Sequence, residues 1–154
     1  MGGFYLEREL GEQYVFTSFF ILANKLQTAG NCLCGEITLK QYLVLLVIKT
    51  WAEGTPNMND IAAAMGCTRQ NIKNLIQALK KKGFITVKDS SSDKRATSIT
   101  ITKKGEEYLS ERNNQRDEML KDIFYDISDE EIQEFERLIS SIYTNVDIMM
   151  VNNI

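Results

Sequence analysis

The chain has 154 residues, of which 44% are apolar and 25% charged, with a net charge of −3. That length suits one domain, and that apolar share suffices for a core and excludes wholesale disorder. The longest unbroken apolar run, Tyr42 to Ile48, is too short to cross a bilayer.

The first residues lack the charged-then-apolar layout of a signal peptide, and Leu6 stands where a myristoylation motif needs Ser or Thr. A cytoplasmic protein without membrane contact is expected. Three cysteines, an odd number, do not make a disulfide framework, so reduced thiols are the default. The net charge hides an asymmetry. From Thr68 to Lys104 stand ten Lys/Arg and two acids, a balance of +8, which leaves −11 on the remainder. A basic segment inside an acidic chain points to a local polyanion site.

In chain order, the first predicted helix covers about Leu6 to Thr28. Leu10, Tyr14, Phe16, Phe19, Phe20, Ala23 and Leu26 give it a broad apolar face. Asn31-Cys32-Leu33-Cys34-Gly35 is read as a loop that ends it. Thr38 with Gln41 three residues on forms a capping box for a second helix reaching Trp51. Asn57 and Asp60 form a further cap pair for a short third helix, Met58 to Met65. Gly66 suits the left-handed turn that ends it. Thr68 caps a fourth helix, in which Ile72, Leu75, Ile76 and Leu79 recur at helical spacing.

After Gly83 the period changes. Residues 84–88 and 96–101 are short and β-branched, and a polar segment from Asp89 to Arg95 separates them. This is the pattern of a β-hairpin with a polar tip. Thr102 caps a long helix predicted over about Lys103 to Tyr125. Ser128 opens a last one, with Asp129, Glu130 and Glu131 in its first turn, where the helix dipole favours anions.

The spacing of Ala62, Gly66 and Ile72 makes the third and fourth helices a helix-turn-helix. Small Ala62 lets the helices approach, Gly66 makes the turn, and Ile72 fills the angle between them. Ile61, Met65, Cys67 and Leu75 are expected around them as packing residues. Arg69, Gln70, Lys73, Asn74 and Gln77 are left pointing outward, and the first four, with Thr68 and Asn71, make a set suited to major-groove readout. Arg69 could pair with guanine, and Gln70 or Asn74 with adenine; the sequence leaves open which of them touches bases.

Together with Lys80-Lys81-Lys82-Gly83-Phe84-Ile85, with Asp93-Lys94-Arg95 and with Ile101-Thr102-Lys103-Lys104-Gly105, this unit resembles the MarR family of winged-helix transcriptional regulators. The resemblance runs from Thr38 onward. The wing is its most specific part: Asp-x-Arg, five residues, an aliphatic, Thr, two residues, Gly. Ile101 stands where the family usually shows Leu. The implied fold is mainly α with a small β-hairpin wing: a dimeric winged helix-turn-helix over 37–103, with dimerisation helices at 1–36 and 104–154. The resemblance implies a homodimer on a pseudo-palindromic operator in double-stranded DNA, acting as a repressor relieved by a small amphipathic or phenolic ligand. Arg95 is then the minor-groove arginine, Asp93 orients it, and Lys94 contacts phosphate. Phe4, Tyr5, Leu10 and Tyr14 at one end and Phe135 to Met150 at the other supply the dimer interface.

Tyr14, Phe19, Tyr42 and Trp51 are candidates to line the ligand pocket, with core packing as the plainer role. Cys67 reads as packing. Cys32 and Cys34 are redox candidates, but with no His in the chain and no basic neighbour between Ala29 and Thr38, nothing in the sequence activates them. Metal ligation, a cofactor and a catalytic set are not indicated. The alternatives are a cysteine-based redox regulator of the same fold, and a winged helix used for protein–protein contact.

Overall fold

The structure is a computed structural model that describes residues 2–52, 54–89 and 97–152. It divides into two compact units, Met1–Gln115 and Arg116–Ile154.

The first unit opens with α1 (Gly2–Cys34). This helix overruns its expected end near Thr28, so Cys32 and Cys34 sit in its last turns and not in a loop. Packing explains the overrun. A Cβ at Gly30 would meet the Leu39 Cδ2 at 2.6 Å, so the Leu39 side chain packs directly on the bare backbone of α1 there. The Asn31 side chain accepts from the Leu39 N–H at 2.7 Å. These contacts outweigh the poor helix propensity of Gly and Asn.

Next comes α2 (Leu39–Thr50), with the expected capping box: the Thr38 side chain accepts from the Gln41 N–H, and the Gln41 side chain accepts from the Thr38 N–H. Tyr42, Val44, Leu45 and Ile48 are buried. This helix is the hub of the unit, packing against α1, α3, α4, α5 and β2. The helices α3 (Met58–Ala64) and α4 (Arg69–Lys81) follow. Then β1 (Ile85–Asp89) pairs antiparallel with β2 (Thr97–Ile101), Val87 opposite Ile99 at the centre. The core is a single cluster in which Leu45, Ile61, Ile72, Leu79, Phe84 and Ile99 lose all contact with solvent.

The long helix expected over 103–125 is two helices, α5 (Lys103–Glu111) and α6 (Asn113–Ile123). They are separated at Arg112. There the N–H bonds the Leu109 carbonyl at 3.3 Å, while the Tyr108 carbonyl accepts instead from the Arg112 guanidinium at 3.4 Å. A side chain thus takes a place in the helical ladder, which is one way helices break. In the second unit, α7 (Asp129–Asn152) opens at Ser128. Ser128 and Glu131 exchange side-chain-to-backbone hydrogen bonds at 3.3 and 2.8 Å, a capping box in the first turn. Among the described residues no single helix is long and apolar enough to cross a membrane.

Candidate nucleic-acid interface

The turn between α3 and α4 is built from both sides. Asn57 accepts from the N–H groups of Asn59 and Asp60 at 2.7 and 3.2 Å, and the Asp60 carboxylate returns to the Asn57 N–H at 2.8 Å. At the other end Gly66 takes φ +57°, a conformation that costs an L side chain about 1–2 kcal/mol. The N–H groups of Gly66 and Cys67 then close onto the carbonyls of Ala63 and Ala62 at 3.1 and 3.0 Å. The Thr68 side chain accepts from the Asn71 N–H at 3.3 Å and starts α4.

One face of α4 is sealed: Ile72, Ile76 and Leu79 are buried, with Leu75 half-buried. Ile61 and Ala62 of α3 are buried in the same core, and Met65 and Cys67 pack on its edge. The other face is free. Thr68, Arg69, Gln70, Asn71, Lys73 and Asn74 are all exposed along one helix.

The hairpin is held at its stem. The Thr86 and Thr100 hydroxyls pair at 2.6 Å, the Thr55 and Ser98 hydroxyls at 2.8 Å, and the Ile99 N–H donates to the Pro56 carbonyl at 3.2 Å. Thr102 joins stem to α5: its hydroxyl donates to the Gly83 carbonyl at 2.7 Å and accepts from the Gly105 N–H at 3.2 Å. Gly105 is required by space, since a Cβ there would lie 2.4 Å from the Phe84 carbonyl oxygen. Asp93, Lys94 and Arg95, the wing-tip residues, lie outside the described residues.

Two of the lysines at the end of α4 and start of α5 are tethers. The Lys82 ammonium donates to the Glu36 carbonyl, and Lys104 donates to the Lys82 carbonyl at 2.9 Å while lying 4.4 Å from the Phe84 ring centre. These bonds fix the end of α4 to the body of the unit.

The candidate ligand residues sit in different surroundings. Tyr42 is buried, with its hydroxyl lacking a hydrogen-bond partner among the described residues; Tyr14 is exposed; Phe19 and Trp51 are half-buried. Cys32 is exposed, and its thiol donates to the Thr28 carbonyl at 3.5 Å. Cys34 is buried. Burial pushes its thiol up from the ordinary value, against a weaker pull from the Arg112 charge. Arg112 is the basic neighbour that the sequence around Cys34 does not show, because it arrives from α5's far end. Its guanidinium lies 3.6 Å from the Tyr108 ring centre. Burial, against the opposing Arg112 charge, pushes the Tyr108 phenol up to about 12.

The MarR family model matches residues 37–97. A stretch of 108 residues is 22% identical to the transcriptional repressor MprA of Escherichia coli (strain K12). That match takes in 70% of this chain and 61% of the length of MprA. Among solved structures, the Staphylococcus aureus MepR–DNA complex superposes with a TM-score of 0.72 at 21% identity, covering 83% of this chain and 93% of MepR. S. aureus MarR in complex with salicylate and kanamycin gives 0.74 at 22% identity, covering 91% and 95%. These likenesses give the fold. What this chain shares with the MarR family is thus the segment 37–97, which holds the helix-turn-helix and the first strand of the hairpin.

Proposed function

We propose that this chain is a sequence-specific DNA-binding transcriptional regulator, working as a homodimer and as a repressor. The observation that carries the reading is the free polar face of α4. A helix anchored by Ile72, Ile76 and Leu79 in the core, capped at Thr68 and tethered at Lys82, presents Arg69, Gln70, Asn71, Lys73 and Asn74 to solvent. That is the geometry of a helix offered to a major groove. MepR is a relative in fold whose structure is a DNA complex, and MprA carries the name of a repressor.

In this reading the segment 37–103 contacts DNA. Arg95 enters the minor groove, whose negative potential suits a guanidinium, with Asp93 orienting it and Lys94 on phosphate. The segments 1–36 and 104–154 make the dimer. Tyr14 and Phe16 of α1 are 74% and 65% exposed, and in α7 Tyr143 and Val151 are 68% and 75% exposed. Apolar surface on this scale marks an interaction site. The Phe4 and Tyr5 side chains lie outside the described residues. Relief by an amphipathic or phenolic ligand fits Tyr42, whose buried hydroxyl has no partner among the described residues, and the fold relative bound to salicylate. The redox alternative is weakened by the buried Cys34, whose thiol is held protonated.

Sedimentation of the full chain tests the dimer: a species of twice 17.6 kDa is expected, and a monomer at micromolar concentration overturns that part. Selection of duplexes from random DNA tests the rest, with an enriched two-fold-symmetric site expected.

A further inference from the structure

The outward face of α4 has a centre and a rim, and they differ in chemistry. At about 100° per residue, Ile72, Leu75, Ile76 and Leu79 together define the inward direction. Gln70, Asn74 and Gln77 lie within about 30° of the opposite, outward direction; Lys73, Asn71 and Arg69 lie about 70° to 110° off it. A helix set into a groove turns its centre line to the base edges and its flanks to the two phosphate walls. Arg69 and Lys73 are therefore wall contacts, and the base edges meet amides.

Two of those amides are joined. The Gln70 Nε2 donates to the Asn74 Oδ1 at 3.4 Å. One Nε2 hydrogen of Gln70 is thereby used, leaving the other hydrogen and the Oε1 free, side by side. A donor beside an acceptor matches the major-groove edge of adenine, which offers N7 as acceptor and N6–H as donor. Guanine offers two acceptors there, so the Gln70 Oε1 would face O6. Turning the Gln70 amide over alone would set its Oε1 against the Asn74 Oδ1, two acceptors in contact, so the two amides turn only together.

We propose that Gln70 reads one adenine in each half-site and that Asn74 is the residue positioning it. This rests on the DNA-binding reading above and adds to it which residue reads and which base. Asn74 need not touch the DNA; it sets the orientation of the amide that does.

The test is selection from random duplex DNA by the full chain, sequenced for the wild type and three variants. The wild type is expected to enrich an A·T pair, adenine on a fixed strand, at one position per half-site. Gln70→Ala is expected to relax preference at that position by about tenfold or more and to leave the other positions as they were. Asn74→Ala is expected to relax the same position. Asn74→Asp keeps the acceptor, so adenine preference is expected to survive while overall affinity falls through the added negative charge. A merely structural role for Asn74 would lower enrichment at all positions together and would not be rescued by Asp. Guanine at the position lost in Gln70→Ala, or an unchanged profile in Gln70→Ala, overturns the inference and leaves the regulator reading standing. No enriched duplex with the wild type overturns both.

Discussion

The Tyr108 hydroxyl, on α5, donates to the main-chain carbonyl of Cys34, the last residue of α1. The bond is buried, and the Arg112 guanidinium covers the Tyr108 ring from the outside. One phenol thus ties the end of the first helix to the helix that leaves the wing. Tyr108→Phe removes the donor and leaves the Cys34 carbonyl with the longer bond from the Ile37 N–H at 3.4 Å, at a cost of about 0.5–1.5 kcal/mol. Urea unfolding near neutral pH measures it, and an unchanged midpoint would show that the bond contributes nothing.

The same phenol sets a pH dependence. Its folded value, about 12, lies above its ordinary value of 10.0. The native state therefore holds a proton that the unfolded chain gives up. This part of the stability is complete below pH 10 and is lost as pH rises from 10 towards 12. Wild-type stability is expected to fall across that window more steeply than that of Tyr108→Phe. Parallel curves would contradict the assignment.

Two glycines are required for different reasons, and substitution separates them. Gly66→Ala meets no atom within 4 Å but must hold φ +57°, so a loss of about 1–2 kcal/mol is expected. Gly66→Asn should recover most of it, because Asn tolerates that region. Gly105→Ala is a matter of space: its Cβ would lie 2.4 Å from the Phe84 carbonyl oxygen and 2.6 Å from Ile101 Cγ1. Overpacking of this kind costs about 1–3 kcal/mol, and no side chain other than hydrogen should relieve it. Chemical denaturation of the three variants decides both points.

The cysteines should differ in reactivity. Cys32 is exposed, whereas Cys34 is buried with its thiol pushed up. An aromatic disulfide reagent is expected to modify Cys32 in the native protein and Cys34 only as fast as the protein unfolds. Mass spectrometry of the labelled peptides reads this. Native labelling of Cys34 at the rate of Cys32 would revive the redox reading.

Much of the first unit was legible because its signals are local. The Thr38–Gln41 and Asn57–Asp60 pairs, the Gly66 turn, the Thr68 cap and the Ile72–Leu79 stripe each act within one or two turns of chain. The misses are tertiary. The stretch Asn31 to Gly35 read as a break, yet the fit of Gly30 and Asn31 against Leu39 carries α1 to Cys34. The break at Arg112 follows from a side chain returning to the Tyr108 carbonyl, which no periodicity announces. The partner of Cys34 was invisible for the same reason: Arg112 lies far along the chain. Within α4 the outward residues were legible as a set without an order among them. Burial of the opposite face supplied that order, by showing that Gln70 and Asn74 lie at the centre and Arg69 at the rim.

In the proposed reading Arg95 carries the wing's share of binding. Arg95→Ala is expected to weaken binding of a selected duplex by about tenfold or more at fixed salt, as loss of a charged hydrogen-bonding group in a groove would, with the dimer intact by sedimentation. Unchanged binding would remove Arg95 from the interface.

The central claim, that α4 and the wing seat on a specific duplex, is tested most directly by fluorescence anisotropy. The full chain is titrated into a selected duplex and a scrambled one, at salt from about 50 to 200 mM. The selected duplex is expected to bind more tightly at every salt concentration, and its affinity to fall by roughly a thousandfold or more across the range as phosphate contacts release counterions. Equal affinity for the two duplexes, or affinity that does not respond to salt, would contradict it.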